Sequence, residues 1–411
     1  MHFEPQAVPA EIVPLLRRFV TITGWKPWKK RLAALEQQVT DNPLLREYFA
    51  ERYGLELELG RLLRVLRRGG KIGLPAAYRE TAVLSFVATV ARVHQRLSPQ
   101  GQRRLAGMLR SGLDAEHGLA SLEHEMGIAA HLMAQDFDVT FSDIETGGGF
   151  DMLAEREGTE IEVECKAISG DLGQKIHRRR LYQLGGHVYP LMAAALERRP
   201  GGQLARILLT GRLQGTDQQL SGIRERLERV LQNDVSDPGP EPCAIEHRTF
   251  PLSGSPFETA DPGSLEREAA RQHVEQKVGL PIRHAMMLFR PSHGAIVIAV
   301  ESLQDDAVML GMVRQLKESV KSQFTGARPA VICVKFSDIT EQELLEIGEQ
   351  DRSGQPSGLQ IATNHLLNRD DWRHVHTLAY FAPGYLTMSR TVEGQNVTHS
   401  AQERGQAYVF T

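Results

Sequence analysis

Cysteine is scarce in this chain: there are three in 411 residues, at positions 165, 243 and 333, and none belongs to a CxxC pair. That scarcity excludes a disulfide framework and a cysteine-ligated zinc, and the three thiols are expected to be buried or incidental. No apolar run approaches the ~20 residues a membrane helix needs, so no membrane association is expected. The first residues, MHFEPQAVPAEIVPLL, lack a basic segment leading into an apolar stretch. No secretory signal is therefore visible, and a cytoplasmic location is the expectation. Low-complexity tracts and internal repeats are also missing. What remains, 41% hydrophobic and 24% charged residues, is the composition of an ordinary globular protein.

The net charge of −3 conceals an asymmetry. The first 110 residues hold 19 Lys and Arg against 9 Asp and Glu, so the rest of the chain is acidic. A basic block of this kind is expected to face a polyanion. Length alone suggests more than one core at roughly 150 residues per domain. We divide the chain into a basic helical domain over 1–117, a central α/β unit over 118–234, and a C-terminal α/β domain over 235–411. Helical spacing such as Leu62, Leu63, Val65 and Leu66 marks the first, with breaks at Gly69-Gly70 and Ser98-Pro99. The proline-rich and glycine-rich Ser236–Pro242 marks the last boundary. Between them the pattern predicts a helix over 119–135, strands near 137–141, 149–154 and 159–167, a helix from about 174 to 198, and a strand over 205–210. Further on, strands over 295–300 and 330–335 flank a helix over 303–323.

The chemistry is concentrated in Thr159-Glu-Ile-Glu-Val-Glu-Cys-Lys166. A strand sends alternate residues to opposite faces. Glu164 and Lys166 therefore share a face, while Ile161, Val163 and Cys165 pack into a core. Asp151 follows the flexible Gly147-Gly-Gly149 on what reads as the neighbouring strand, so three charged groups converge. Two carboxylates supply hard oxygen ligands for Mg²⁺ or Mn²⁺, and an ammonium beside them can orient or deprotonate an attacking water. The competing reading of this strand is a solvent-facing charged sheet surface.

A fourth carboxylate comes from the helix before the strands. Leu119, Leu122, Met126, Ala129, Leu132 and Met133 form an apolar arc at 100° per residue. Glu125 falls inside that arc and Glu123 outside it. Buried-face carboxylates are costly unless paired or metal-bound, so Glu125 is the expected further ligand.

Together, Glu125, Asp151, Glu164-Cys165-Lys166 and the α-β-β-β-α-β order resemble the PD-(D/E)XK nuclease superfamily, with its restriction-endonuclease-like core. Phe150 stands where that motif has proline. The resemblance covers about a quarter of the chain. It implies an Mg²⁺-dependent nuclease, with Mn²⁺ as a substitute, in which Asp151, Glu164, Glu125 and the main-chain carbonyl of Cys165 hold the metal while Lys166 serves the water. DNA is the expected substrate, and restriction, repair and phage defence are all compatible with it. The alternatives are a non-catalytic nucleic-acid-binding scaffold and an RNA-cleaving effector. A second match to the loose spacing, Asp261 with Glu275-Gln276-Lys277, lies in a helical pattern and is set aside.

Two basic clusters are candidates for holding nucleic acid. Trp25-Lys-Pro-Trp-Lys-Lys-Arg31 offers Lys26, Lys29, Lys30 and Arg31 between aromatics that can stack on bases. Lys175, Arg178 and Arg179 open the long helix, where they are expected beside the metal site. Residues 235–411 are left for a homodimer contact or a protein partner.

Overall fold

Arg156 and Thr159 face each other across Glu157 and Gly158, whose φ values of 54° and 81° give the tight left-handed turn that suits the twist of a two-residue hairpin. In the computed structural model this turn joins β2 (Met152–Arg156) to β3 (Thr159–Ile168) and fixes their register, with Met152 opposite Val163. Asp151, one residue before β2, is thereby brought to the level of Glu164. The structure describes residues 9–70, 72, 78–115, 118–169, 171–239, 243–259, 265, 267–337, 341–382 and 408–410.

The chain is α/β, with two mixed sheets. One has the order β1-β2-β3-β8-β9-β10, where β1 is Asp138–Phe141, β8 is Ala330–Phe336, β9 is Val375–Phe381 and β10 is Tyr408–Phe410. The other has the order β5-β4-β7-β6, formed by β4 (Gly201–Leu209), β5 (Cys243–Phe250), β6 (Ala285–Arg290) and β7 (Gly294–Ser302). By its packing the chain divides into two compact units, each assembled from separate stretches. The first takes Met1–Gln37, Tyr48–Leu172 and Val308–Thr411; the second takes Gln38–Glu47 and Gly173–Ala307.

In the first unit the N-terminal helices do not form a core of their own. Phe19, Trp28, Leu59, Val87 and Leu105 belong to one apolar cluster with Leu122, Met126, Val139, Met152 and Val163. The expected boundary at 117/118 therefore has no counterpart in the packing. A second cluster fills the other side of the strand layer, where Ile332 and Val334 of β8 meet Met312, Leu316 and Val320 of the helix Val308–Gln323.

The strand expected over 205–210 to close the α-β-β-β-α-β order does not lie in the sheet of β3. That strand, β4, pairs with β5 and β7 in the second unit, while β3 pairs in parallel with β8, placing Cys165 opposite Cys333. Both β4 and β8 are short apolar runs, and such a run announces burial without naming its neighbour. The described part of the expected boundary after 234, residues 236–239, lies within the second unit. Asp237 exchanges main-chain hydrogen bonds with Ile245, at 2.7 and 2.8 Å, and pairs with Arg226, all inside the second unit. The helix expected from 303 begins at Val308, and Ser302 Oγ instead accepts from the N–H of Gln304 in a turn. Among the described residues no helix is long and apolar enough to cross a membrane.

Candidate metal centre

Three elements of the first unit bring acidic side chains to one place. The helix Ala120–Ala134 carries Glu125, the four-residue helix Ser142–Glu145 carries Asp143, and the residue leading into β2 is Asp151. One oxygen from each of these carboxylates lies within 4.8 Å of the others. The Cys165 N–H donates to Asp151 Oδ2 at 2.6 Å, tying that carboxylate to β3 beside Glu164. The Ser142 N–H donates to the Asp151 carbonyl at 2.9 Å, which ties in the Asp143 helix as well.

Glu164 is 1% exposed and its neighbour on the same strand face, Glu162, is 0% exposed. The solvent-facing sheet surface is therefore ruled out for this strand. The two glutamates nonetheless differ in kind. Glu162 is fully engaged, accepting from Thr325 N at 2.9 Å, from Thr325 Oγ1, and from Arg328 at 3.4 Å. Glu164 has no such set of donors: among the described residues it meets the Lys166 ammonium and the Asp151 main chain, and neither contact has good hydrogen-bond geometry. Lys166 Nζ lies 2.5 Å from Glu164 Oε1. A buried carboxylate with so few donors is costly and marks a place for a cation.

The electrostatics agree with this picture. Burial pushes Glu164 up to about 7, with Asp151 adding repulsion and Lys166 opposing it. Burial likewise raises Asp151 to about 6, against the Cys165 N–H and Lys166. Asp143 goes to about 6 through burial and the nearby Asp151, offset by the Ile144 N–H and Arg104. Glu125 is raised well above the usual carboxylate range by burial, then by Asp151, Asp143 and Glu164. Each of these groups prefers a proton or a metal ion to a bare charge.

Glu123 serves a different purpose. It pairs with Lys335 of β8 at 3.1 Å, away from the cluster. Between the two glutamates, the buried His124 meets the Cys333 carbonyl at 2.9 Å through Nε2 and stays neutral, its pKa lowered to about 3 by burial and by Lys335. No family model, curated protein or solved structure matches this chain.

Other expected positions fall as follows. Lys26, Lys29 and Lys30 are exposed, and Lys30 pairs loosely with Asp114 at 3.3 Å. Trp28 is buried in the core, with its Nε1 bonded to Thr23, and so does not offer a face for stacking on a base. Arg31 is half-buried with its guanidinium 4.6 Å from the centre of the Tyr53 ring. Lys175, Arg178 and Arg179 are half-buried and belong to the second unit. The helix Arg267–Val278 carries Glu275 and Lys277, as its pattern predicts, while Asp261 lies outside the described residues.

Asp143 was not foreseen. It lies two residues after the end of β1, but nothing in Phe141-Ser-Asp-Ile-Glu145 separates it from an ordinary acidic loop. Glu157-Gly158 is the signal that could have helped, because a tight turn at that point sets Asp151 against Glu164.

Proposed function

We propose that the first unit is a divalent-metal-dependent nuclease with its reactive centre at Glu125, Asp143, Asp151, Glu164 and Lys166. The observation that carries this reading is the contrast on β3 between Glu162, held by Thr325 and Arg328, and Glu164, equally buried but set between the Asp151 carboxylate and Lys166. A structural ion pair has no need of the three further carboxylates around it.

The order of elements supports the resemblance to restriction-endonuclease-like proteins once residues 173–307 are set apart. The helix Ala120–Ala134, β1, β2 and β3 are then followed by the helix Val308–Gln323 and β8, which restores helix, three strands, helix, strand. The donor set is all oxygen, which suits Mg²⁺ or Mn²⁺ rather than a thiolate-bound ion. Asp151, Glu164, Glu125 and Asp143 would hold the cation, with the Cys165 carbonyl as a further oxygen. Such an ion supplies Lewis-acid stabilisation of a phosphoryl oxygen and lowers the pKa of a bound water.

The chain's own part is to bind and orient. Asp151 is aimed by the Cys165 N–H, which fixes one oxygen and leaves the other for a ligand. Lys166, 19% exposed, reaches from the buried Glu164 toward solvent, where its ammonium can hold a water against the phosphodiester and receive or return its proton. DNA is our preferred substrate, given the basic N-terminal block. Incubating the purified protein with circular DNA, linear DNA and RNA, in Mg²⁺ or in EDTA, tests the reading. We expect cleavage in Mg²⁺ alone; cleavage that survives EDTA, or none of any substrate, would overturn it.

A further inference from the structure

Arg104 stands beside the carboxylate cluster, and Asp143 feels its charge, but among the described residues it forms no ion pair. It belongs to the helix Pro99–Asp114 and is half-buried. Its Nη1 donates to the Ile144 carbonyl at 3.2 Å, and its Nη2 lies 3.5 Å from where a Cβ on Gly147 would sit. Among the described residues no carboxylate forms an ion pair with it. Other arginines of the N-terminal helices are treated differently: Arg61, Arg64 and Arg92 are paired with Glu58, Glu36 and Glu11.

The position of this guanidinium is set from both sides. Ser98 caps the arginine's helix, accepting from the Gly101 N–H at 3.1 Å, and Glu145 in turn accepts from Ser98 N at 2.9 Å and Ser98 Oγ at 2.5 Å. The short helix carrying Asp143 is thus held at one point by Glu145 and at another by Arg104. Beyond it, Gly147 has φ +74° and puts no side chain beside Nη2, and residues 146–149 are exposed. Gly149 has a separate reason to be glycine, since a Cβ there would meet the Gln323 carbonyl at 2.5 Å.

Four carboxylates against one lysine would repel a polyanion. A divalent cation offsets part of that charge, and an arginine without an ion pair offers a planar fork matched to phosphate oxygens. We propose that Arg104 holds a phosphate of the nucleic-acid backbone next to the carboxylate cluster, a role that rests on the nuclease reading above. The N-terminal helices then share a core with the strand layer because they supply part of the substrate site.

The test compares Arg104→Gln with its parent in a Lys166→Ala background, so that binding is read without turnover. A short DNA duplex is titrated in Mg²⁺ across a salt series, and Mn²⁺ affinity is followed by EPR. Loss of one phosphate contact should weaken binding and flatten the log–log salt slope by roughly 0.9, while Mn²⁺ affinity is kept or rises. An unchanged slope with a lowered melting temperature would make Arg104 only a clamp on Ile144 and overturn the proposal. Should Arg104→Gln fail to fold, the wild-type chain answers by itself: the duplex should shield Arg104 from phenylglyoxal, and equal labelling with and without duplex overturns the proposal. Wild-type cleavage in Mg²⁺ together with an unchanged slope leaves the nuclease reading standing and removes only Arg104.

Discussion

The Cys165 N–H points at Asp151 Oδ2 from 2.6 Å, so the carboxylate that leads into β2 is held by the strand that carries Glu164 and Lys166. This bond separates two substitutions. Asp151→Asn keeps an acceptor for the N–H and removes a charge from a crowded cluster, so it should melt no lower than wild type while losing Mn²⁺ affinity and cleavage. Asp151→Ala leaves the N–H without its partner and should be less stable than Asp151→Asn by about 1–3 kcal/mol. Calorimetric melting of the two in EDTA checks this, and equal melting points would show that the bond contributes little.

Glu125 and Glu123, two residues apart on one helix, should respond very differently. Glu125→Gln is expected to weaken Mn²⁺ binding and to slow cleavage strongly, because it removes a ligand oxygen from the cluster. Glu123→Gln breaks the 3.1 Å pair with Lys335, which is partly exposed, and should cost at most about 1 kcal/mol of stability with little effect on cleavage. Comparable loss of cleavage in both variants would count against the assignment.

Stability should depend on pH in a direction that the raised carboxyl groups dictate. Glu164 titrates near 7 in the folded chain against 4.5 ordinarily, and Asp151 and Asp143 near 6 against 3.8. Between those values the folded state binds more protons than the unfolded state, so their contribution falls as pH rises from about 4 to 7. His124, kept neutral in the fold, acts oppositely between about 3 and 6.5. The difference between Glu164→Gln and wild type isolates the first effect. In EDTA the variant should gain on wild type as pH rises from 4.5 to about 7 and then level off. Mg²⁺ should cancel the gain, and a difference flat in pH would contradict the electrostatic account.

The basic stretch should split into two kinds of residue. Replacing the exposed Lys26, Lys29 and Lys30 by alanine should weaken nucleic-acid binding and flatten its salt dependence, each lost phosphate contact contributing roughly 0.9 to the slope on a duplex. Arg31→Ala should instead lower the melting temperature, because its guanidinium lies over Tyr53. If the triple lysine variant has the wild-type slope, this face meets something other than nucleic acid.

Much of the centre is legible in the sequence because it depends on local rules. Alternation along residues 159–166 places Glu164 and Lys166 together, and the helical arc selects Glu125 over Glu123. The same alternation cannot separate Glu162 from Glu164. What distinguishes them is Thr325 and Arg328, which arrive from far along the chain. Asp143 and Arg104 were illegible for the same reason, each being placed by packing between the helices Pro99–Asp114 and Ser142–Glu145. The identity of the strand beside β3 was likewise hidden, because residues 173–307 lie between β3 and the helix that precedes β8.

The central claim is that the buried carboxylate of Glu164 and the ammonium of Lys166 form a cutting site, and the most direct measurement is the cleavage rate of Lys166→Ala beside wild type and Glu162→Gln under saturating Mg²⁺. Loss of the group that holds or deprotonates the water should lower the rate by about 10² to 10⁴, with DNA binding and melting temperature nearly unchanged. Glu162→Gln, altering a glutamate held by Thr325 and Arg328, should lose stability and keep its rate per folded molecule. Lys166→Ala cutting at the wild-type rate would contradict the account and reduce β3 to a buried structural strand.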